Sequence, residues 1–256
     1  MTLIVAHVSH HGAVMAADSL AAEGDQTTAV AEKIWCDGGL LFGYSGNMAV
    51  RDQIRRALSS FFLTTPMPNN PDWEMAASAL CAVAKPVLDK AYANFAGGPE
   101  DRPVEILGGS LVVIGFDGTQ HWLLELDQYN TPSHYTNDGF HTIGSGSVAA
   151  HVGNHVLRHY ALPGHETSHL RLLAYRTVTS CIDVLGGAYG LGPPVQLWQS
   201  AAAGYERVVG DALAAIDDGV QQWIRIEQES LMQVFMPASE IDASAETSMP
   251  EQLGSA

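Results

Sequence analysis

Hydrophobic and polar positions along the chain follow two rhythms. Residues 2–8 (TLIVAHV) and 13–17 (AVMAA) are apolar or β-branched and flank His10, His11 and Gly12. That is the pattern of a hairpin, ending here at Asp18. A polar stretch around Gly24 and Asp25 follows, then a short run at 33–36, an Asp37-Gly38-Gly39 turn and a strand at 40–44 (LLFGY). Past Ser45-Gly46-Asn47 the rhythm changes. Val50, Ile54, Leu58 and Phe61 recur at helical spacing with arginines between them, and Ser45 or Asn47 is placed to cap that helix.

Pro66, Pro68 and Pro71 then break the chain before a second helix over 73–95, in which Pro86 is expected to kink or divide the helix. Residues 97–103 read as a loop. The strongest hairpin pairs 110–116 (SLVVIGF) with 121–126 (HWLLEL) across Asp117-Gly118. A further strand is expected between 133 and 143, and Gly144-Ser145-Gly146-Ser147 turns into a helix over 148–160. Helices over 166–185 and 211–235 enclose a short strand at 195–199, and no internal repeat stands out. Strands from separated parts of the chain, with helices in pairs, predict an α+β fold of two sheets covered by helices. Residues 1–236 read as one domain and 237–256 as a disordered acidic tail, polar and rich in small residues.

Composition narrows the function classes. The 256-residue chain is long enough for a substantial core, with 46% apolar and 16% charged residues. Its net charge of −16 argues against nucleic acid and anionic lipid as partners. No apolar run reaches about 18 residues, the length a membrane-spanning helix needs. The N-terminus lacks the basic and apolar stretches of a secretory signal, so the expected location is cytoplasmic. Cys36, Cys81 and Cys181 are far apart and form no CxxC pair, so they are expected reduced and buried, with no metal and no cofactor.

The candidate chemistry begins at Thr2. A threonine hydroxyl is a weak nucleophile, but at a chain terminus its own α-amine, titrating near about 8, serves as general base. Removal of Met1, usual before a small residue, is expected to expose that amine. Asp18 ends the strand paired with the one that carries Thr2. Lys33 supplies an ammonium that lowers the hydroxyl's pKa. Gly46 stands at a strand-to-helix turn, where a backbone N–H can bind an oxyanion. Ser145 lies between glycines at a second such turn, within reach of the amine.

The segments TLIVA, GAVMAADS, EKIW, LLFGYSGNMA and TIGSGS together resemble the proteasome β-subunit family, including the bacterial peptidase HslV. The resemblance covers residues 2–60 and extends over 105–200. It implies a proteasome-like N-terminal nucleophile (Ntn) hydrolase with a four-layer αββα sandwich. By motif, Thr2 matches the nucleophile, Asp18 the aspartate, Lys33 the lysine, Gly46 the oxyanion glycine and Ser145 the serine of the GSG turn. Asp183 matches a further catalytic aspartate, although the serine that follows in the family is missing here. Lys33 also follows Asp18 by one residue fewer than the family spacing. Tyr44 and Met48, with Ala31 opposite, would line a pocket for large neutral side chains.

The resemblance implies a threonine peptidase that cleaves peptides or unfolded proteins inside a ring-shaped homo-oligomer, with an ATPase as a further partner. The alternative is a non-catalytic proteasome-like subunit that serves as an assembly or binding module. A separate signal is His151, His155 and His159 at four-residue spacing, repeated by His165 and His169. Such spacing can share a metal. Val152, Val156 and Tyr160 beside them favour the edge of a packed face instead, with a pH-sensitive interface as a third reading.

Overall fold

The computed structural model describes residues 2–23, 26–95, 109–158 and 166–235. The chain starts with β1 (Leu3–Ser9) and β2 (Gly12–Ala17), an antiparallel hairpin in which Ile4 faces Ala17. Both strands are buried on both faces, so their sequence is apolar on both faces, His7 and the end residues Ser9 and Gly12 apart, and does not alternate. Next come β3 (Leu20–Glu23), β4 (Gln26–Val30), β5 (Ile34–Asp37) and β6 (Leu40–Ser45). Helix α1 (Met48–Thr64) is capped by Asn47, whose side chain accepts from Ala49 N at 2.9 Å and Val50 N at 3.3 Å. Helix α2 (Trp73–Phe95) carries Pro86 inside it and continues past it as one helix, where a division was open.

The chain continues through β7 (Ser110–Phe116), β8 (His121–Leu126), β9 (Pro132–His134), β10 (Phe140–Gly144), α3 (Ser147–Arg158), α4 (Thr167–Tyr189), β11 (Gln196–Ala201), β12 (Gly204–Val208) and α5 (Gly210–Phe235). One five-stranded sheet has the order β10-β1-β2-β11-β12 and the other β5-β6-β7-β8-β9. Every described pairing is antiparallel. The single strand expected between 133 and 143 is two short ones in different sheets. Between them Gly139 N donates to Tyr135 O at 3.2 Å, with Gly139 at φ 65°. Strands β3, β4 and β12 were not expected from the sequence.

Three apolar clusters hold these elements. Leu3 and Val5 point toward Ala174 and Val178 of α4 and Ile216 and Val220 of α5. Phe42, Tyr44 and Val113 pack with Val50, Ile54 and Leu58 of α1 and Leu80 of α2. The third cluster mixes the sheets, with Ile4, Ala6 and Met15 against Leu41, Val112 and Ile114. Full burial of each such side chain contributes about 1.5–3 kcal/mol.

The expected four-layer αββα sandwich is therefore corrected to an α+β fold of two antiparallel five-stranded sheets, a separate two-stranded hairpin and five described helices. The β3–β4 hairpin pairs with neither sheet. The end of α5 also departs from any packed layer, since Leu231, Met232, Val234 and Phe235 are exposed. The three thiols are free, but only Cys181 is buried and Cys36 is exposed, against the expectation. The expected loop over 97–103 and the tail over 237–256 lie outside the described residues. No helix among the described residues is long and apolar enough to cross a membrane.

Candidate active site

Asp18 follows the last residue of β2, and its carboxylate is fully buried. Oδ1 accepts from Lys33 Nζ at 2.7 Å and from Leu3 N at 2.8 Å, and Oδ2 accepts from Gly192 N at 3.4 Å. Leu3 is the first residue of β1, so one oxygen ties the lysine to the backbone next to Thr2. A charge buried this deeply is tolerated only when it is paired and hydrogen-bonded. Lys33 is 1% exposed, and desolvation pulls its pKa below the ordinary lysine value. Asp18 opposes that fall, and the Arg51 guanidinium adds to it.

Thr2 is buried, and its backbone N–H donates to Ser145 Oγ at 3.4 Å, while Ser145 Oγ–H reaches Thr2 O at 3.4 Å. The pairing of β1 with β10 sets this approach by placing Leu3 opposite Gly144. Gly144 has φ 100°, and a Cβ there would stand 2.1 Å from Thr2 O, so only glycine fits. Gly46 turns the chain from β6 into α1 at φ 139°. Its backbone is approached by Gly109, whose Cβ would lie 2.8 Å from Gly46 Cα and 2.1 Å from Ser45 O.

Other expected residues are placed differently. Asp183 lies on α4 with an exposed side chain. No hydrogen bond or ion pair among the described residues joins it to Thr2, Asp18, Lys33 or Ser145. Tyr44 is 1% exposed, with its ring in the cluster beneath α1 and α2, so it is a core residue and not the wall of an open pocket. The strand's parity explains this, because Leu40, Phe42 and Tyr44 share the face turned to those helices. Burial raises the Tyr44 pKa well above its ordinary value. Ala31 is buried and Met48, the first residue of α1, is half-buried.

The sequence reading missed Gln196, Ser19 and Gly192. They meet around Asp18 and Lys33, with Gln196 Nε2 donating to Ser19 Oγ at 2.8 Å and Ser19 N to Gly192 O at 3.0 Å. The one available signal was a glutamine at the buried head of β11, next to Leu197 and Trp198.

His151 and His155 are exposed on α3, and Val148, Val152 and Val156 beside them are exposed too, so the expected packed edge is not formed. His159, Tyr160 and His165 lie outside the described residues. Among the described residues no group of three or more His, Cys, Asp or Glu is placed to hold a metal ion.

No family model matches this chain, and no curated protein does. Solved structures do match. An Anbu mutant from Hyphomicrobium sp. strain MC1 superposes with a TM-score of 0.67 at 16% identity, covering 93% of this chain and 99% of its own. Anbu (ancestral β-subunit) from Yersinia bercovieri superposes with a TM-score of 0.67 at 16% identity, covering 98% of this chain and 100% of its own. Both neighbours are Anbu and no family model supports membership of the proteasome β-subunit and HslV hydrolases, so that expectation is corrected to a proteasome-like fold shared with Anbu.

Proposed function

We propose that this chain is a threonine-type peptidase whose nucleophile is Thr2, exposed when Met1, which lies outside the described residues, is removed. The observation that carries the reading is the single buried oxygen, Asp18 Oδ1, that holds both Lys33 Nζ and Leu3 N. It ties the lysine to the backbone N–H of Leu3, the residue after the one that would begin the mature chain. The freed Thr2 amine, next to Ser145 Oγ, takes the hydroxyl proton as Thr2 Oγ attacks a peptide carbonyl. The Lys33 ammonium stabilises the developing alkoxide, and the Gly46 N–H receives the carbonyl oxygen, a contribution of about 3–4 kcal/mol. The C–N bond breaks, the protonated amine gives its proton to the leaving amine, and water then releases the acyl group from Thr2.

The second reading, a non-catalytic module of the same fold, is favoured by the burial of Thr2, which is only 6% exposed. The β-subunit description of the Yersinia bercovieri protein supports assembly of this chain with copies of itself.

One experiment decides between the readings. Intact mass is taken before and after treatment with a peptide epoxyketone, which bonds to both the hydroxyl and the amine of a terminal threonine. The peptidase reading expects a starting mass without Met1 and one adduct per chain, lost in Thr2→Ala. A chain that keeps Met1, or that stays unlabelled after trimming, establishes the non-catalytic module.

A further inference from the structure

Gln196 opens β11 opposite Ala17 of β2 and is 2% exposed. A primary amide has two acceptor sites on oxygen and two N–H donors. Here every one is used. Oε1 accepts from Lys33 N at 2.9 Å and from Ile34 N at 3.4 Å. Nε2 donates to Ser19 Oγ at 2.8 Å and to the Ala31 carbonyl at 2.5 Å. The partners dictate the amide's orientation, because turning it over would set oxygen against a carbonyl and N–H against N–H.

These contacts join parts of the chain that the sheets leave separate. Gln196 belongs to the sheet that contains β1 and β2, and Ser19 directly follows Asp18. Ala31, Lys33 and Ile34 lead into β5 of the other sheet. The Lys33 backbone is thus referenced to β11 and, through Ser19, to the residue next to Asp18, and from there Nζ reaches Oδ1 at 2.7 Å. Among the described residues, the charged groups that act on Lys33 include Asp18 after β2 and Arg51 of α1.

We infer that Gln196 is a positioning residue for acyl transfer at Thr2, its carboxamide fixing the backbone from which Lys33 reaches Asp18. The inference rests on the threonine-peptidase reading.

The test is the rate of epoxyketone labelling against pH, with melting followed in parallel. Gln196→Ala loses all four bonds, and displacing a group near the chemistry by about 1 Å costs on the order of 100-fold. Its plateau rate is expected to fall about 10- to 100-fold. The upper limb of its pH profile moves to higher pH, as water reaching Lys33 returns the amine toward its ordinary value. Gln196→Glu keeps the acceptors for Lys33 N and Ile34 N but, ionised, cannot donate to the Ala31 carbonyl. Its rate relative to the unaltered chain rises as pH falls, when the buried carboxyl regains a proton to donate.

An unlabelled wild-type chain sinks the Thr2 reading itself. A labelled wild type whose rate and pH profile survive both substitutions sinks the positioning role alone. If Gln196→Ala does not fold, Gln196→Glu decides. Failure of both to fold makes Gln196 a stability residue and overturns the inference.

Discussion

Lys33 Nζ stands 2.7 Å from Asp18 Oδ1, with the two side chains 1% and 0% exposed. The same oxygen accepts from Leu3 N at 2.8 Å, so the pair joins β1, the end of β2 and the approach to β5 at one point. Two opposite charges taken this far out of water add little net stability as a pair, but each depends on the other. Asp18→Ala strands the lysine and also orphans Leu3 N. The expected cost is about 3–5 kcal/mol, and Lys33→Ala is expected to cost a similar amount. A double-mutant cycle by urea unfolding checks this. The double variant recovers part of the loss, whereas strictly additive costs would show that the ammonium and carboxylate do not support each other.

Lys33 also sets a pH dependence with a definite sign. Burial lowers its folded pKa below 10.5, the value it takes unfolded, so the unfolded chain binds more protons between those two values. Stability from this group therefore rises with pH through that window and is lost as pH falls through the folded pKa. The unfolding free energy of wild type, minus that of Lys33→Met, should grow as pH approaches 10.5 from below. A flat difference across the alkaline range would refute the lowered pKa. Tyr175 acts in the opposite direction. Burial first, then Asp217, push its pKa from 10.0 up to about 12, so its contribution is present below pH 10 and declines as pH rises toward 12. Tyr175→Phe should remove that decline.

How much of this was legible follows from where the partners lie. The β1–β2 hairpin could be read because both of its faces are buried and its two apolar runs flank a His10-His11-Gly12 turn. The same property hid strand parity in β6, since a run buried on both faces does not say which side chains turn to α1. Tyr44 was accordingly read as a pocket wall although it lies in the core. Only one strand was expected between 133 and 143, because the two pieces there join different sheets and pairing partners leave no local mark. Asp18 and Lys33 were visible as residue types at suggestive positions. Gln196 was not, because its significance comes from two other segments, residue 19 and residues 31–34, the farther 177 positions away.

Gly144 links backbone geometry to the candidate nucleophile. At φ 100°, with a would-be Cβ 2.1 Å from Thr2 O, alanine can enter only if the Thr2 backbone moves. The strained conformation costs on the order of 1–3 kcal/mol, with the steric displacement added to it. Gly144→Ala is therefore expected to lower the melting temperature and to slow epoxyketone labelling of Thr2 together. Labelling at the wild-type rate in a destabilised Gly144→Ala chain would mean that Thr2 is positioned by something other than β10.

Arg176 provides a test on the opposite side of the first sheet. It is 9% exposed on α4, its guanidinium lies 4.1 Å from the centre of the Trp223 ring, and Nη1 donates to Glu227 Oε1 at 2.9 Å. Nη2 donates to Glu227 Oε2, which makes the pair bidentate. Trp223 and Glu227 both lie on α5, so a single planar group docks that helix onto α4. Lysine keeps the charge but not the fork or the flat face that covers the ring. Arg176→Lys is expected to cost about 1–2 kcal/mol and Arg176→Ala more, the latter by leaving Glu227 half-buried without its partner. Hydrogen exchange along α5 discriminates a local effect from a global one. Protection lost first in α5, with β1 and β2 unchanged, assigns the docking to Arg176. A uniform loss across both sheets would instead make α5 part of the same cooperative unit as the candidate site.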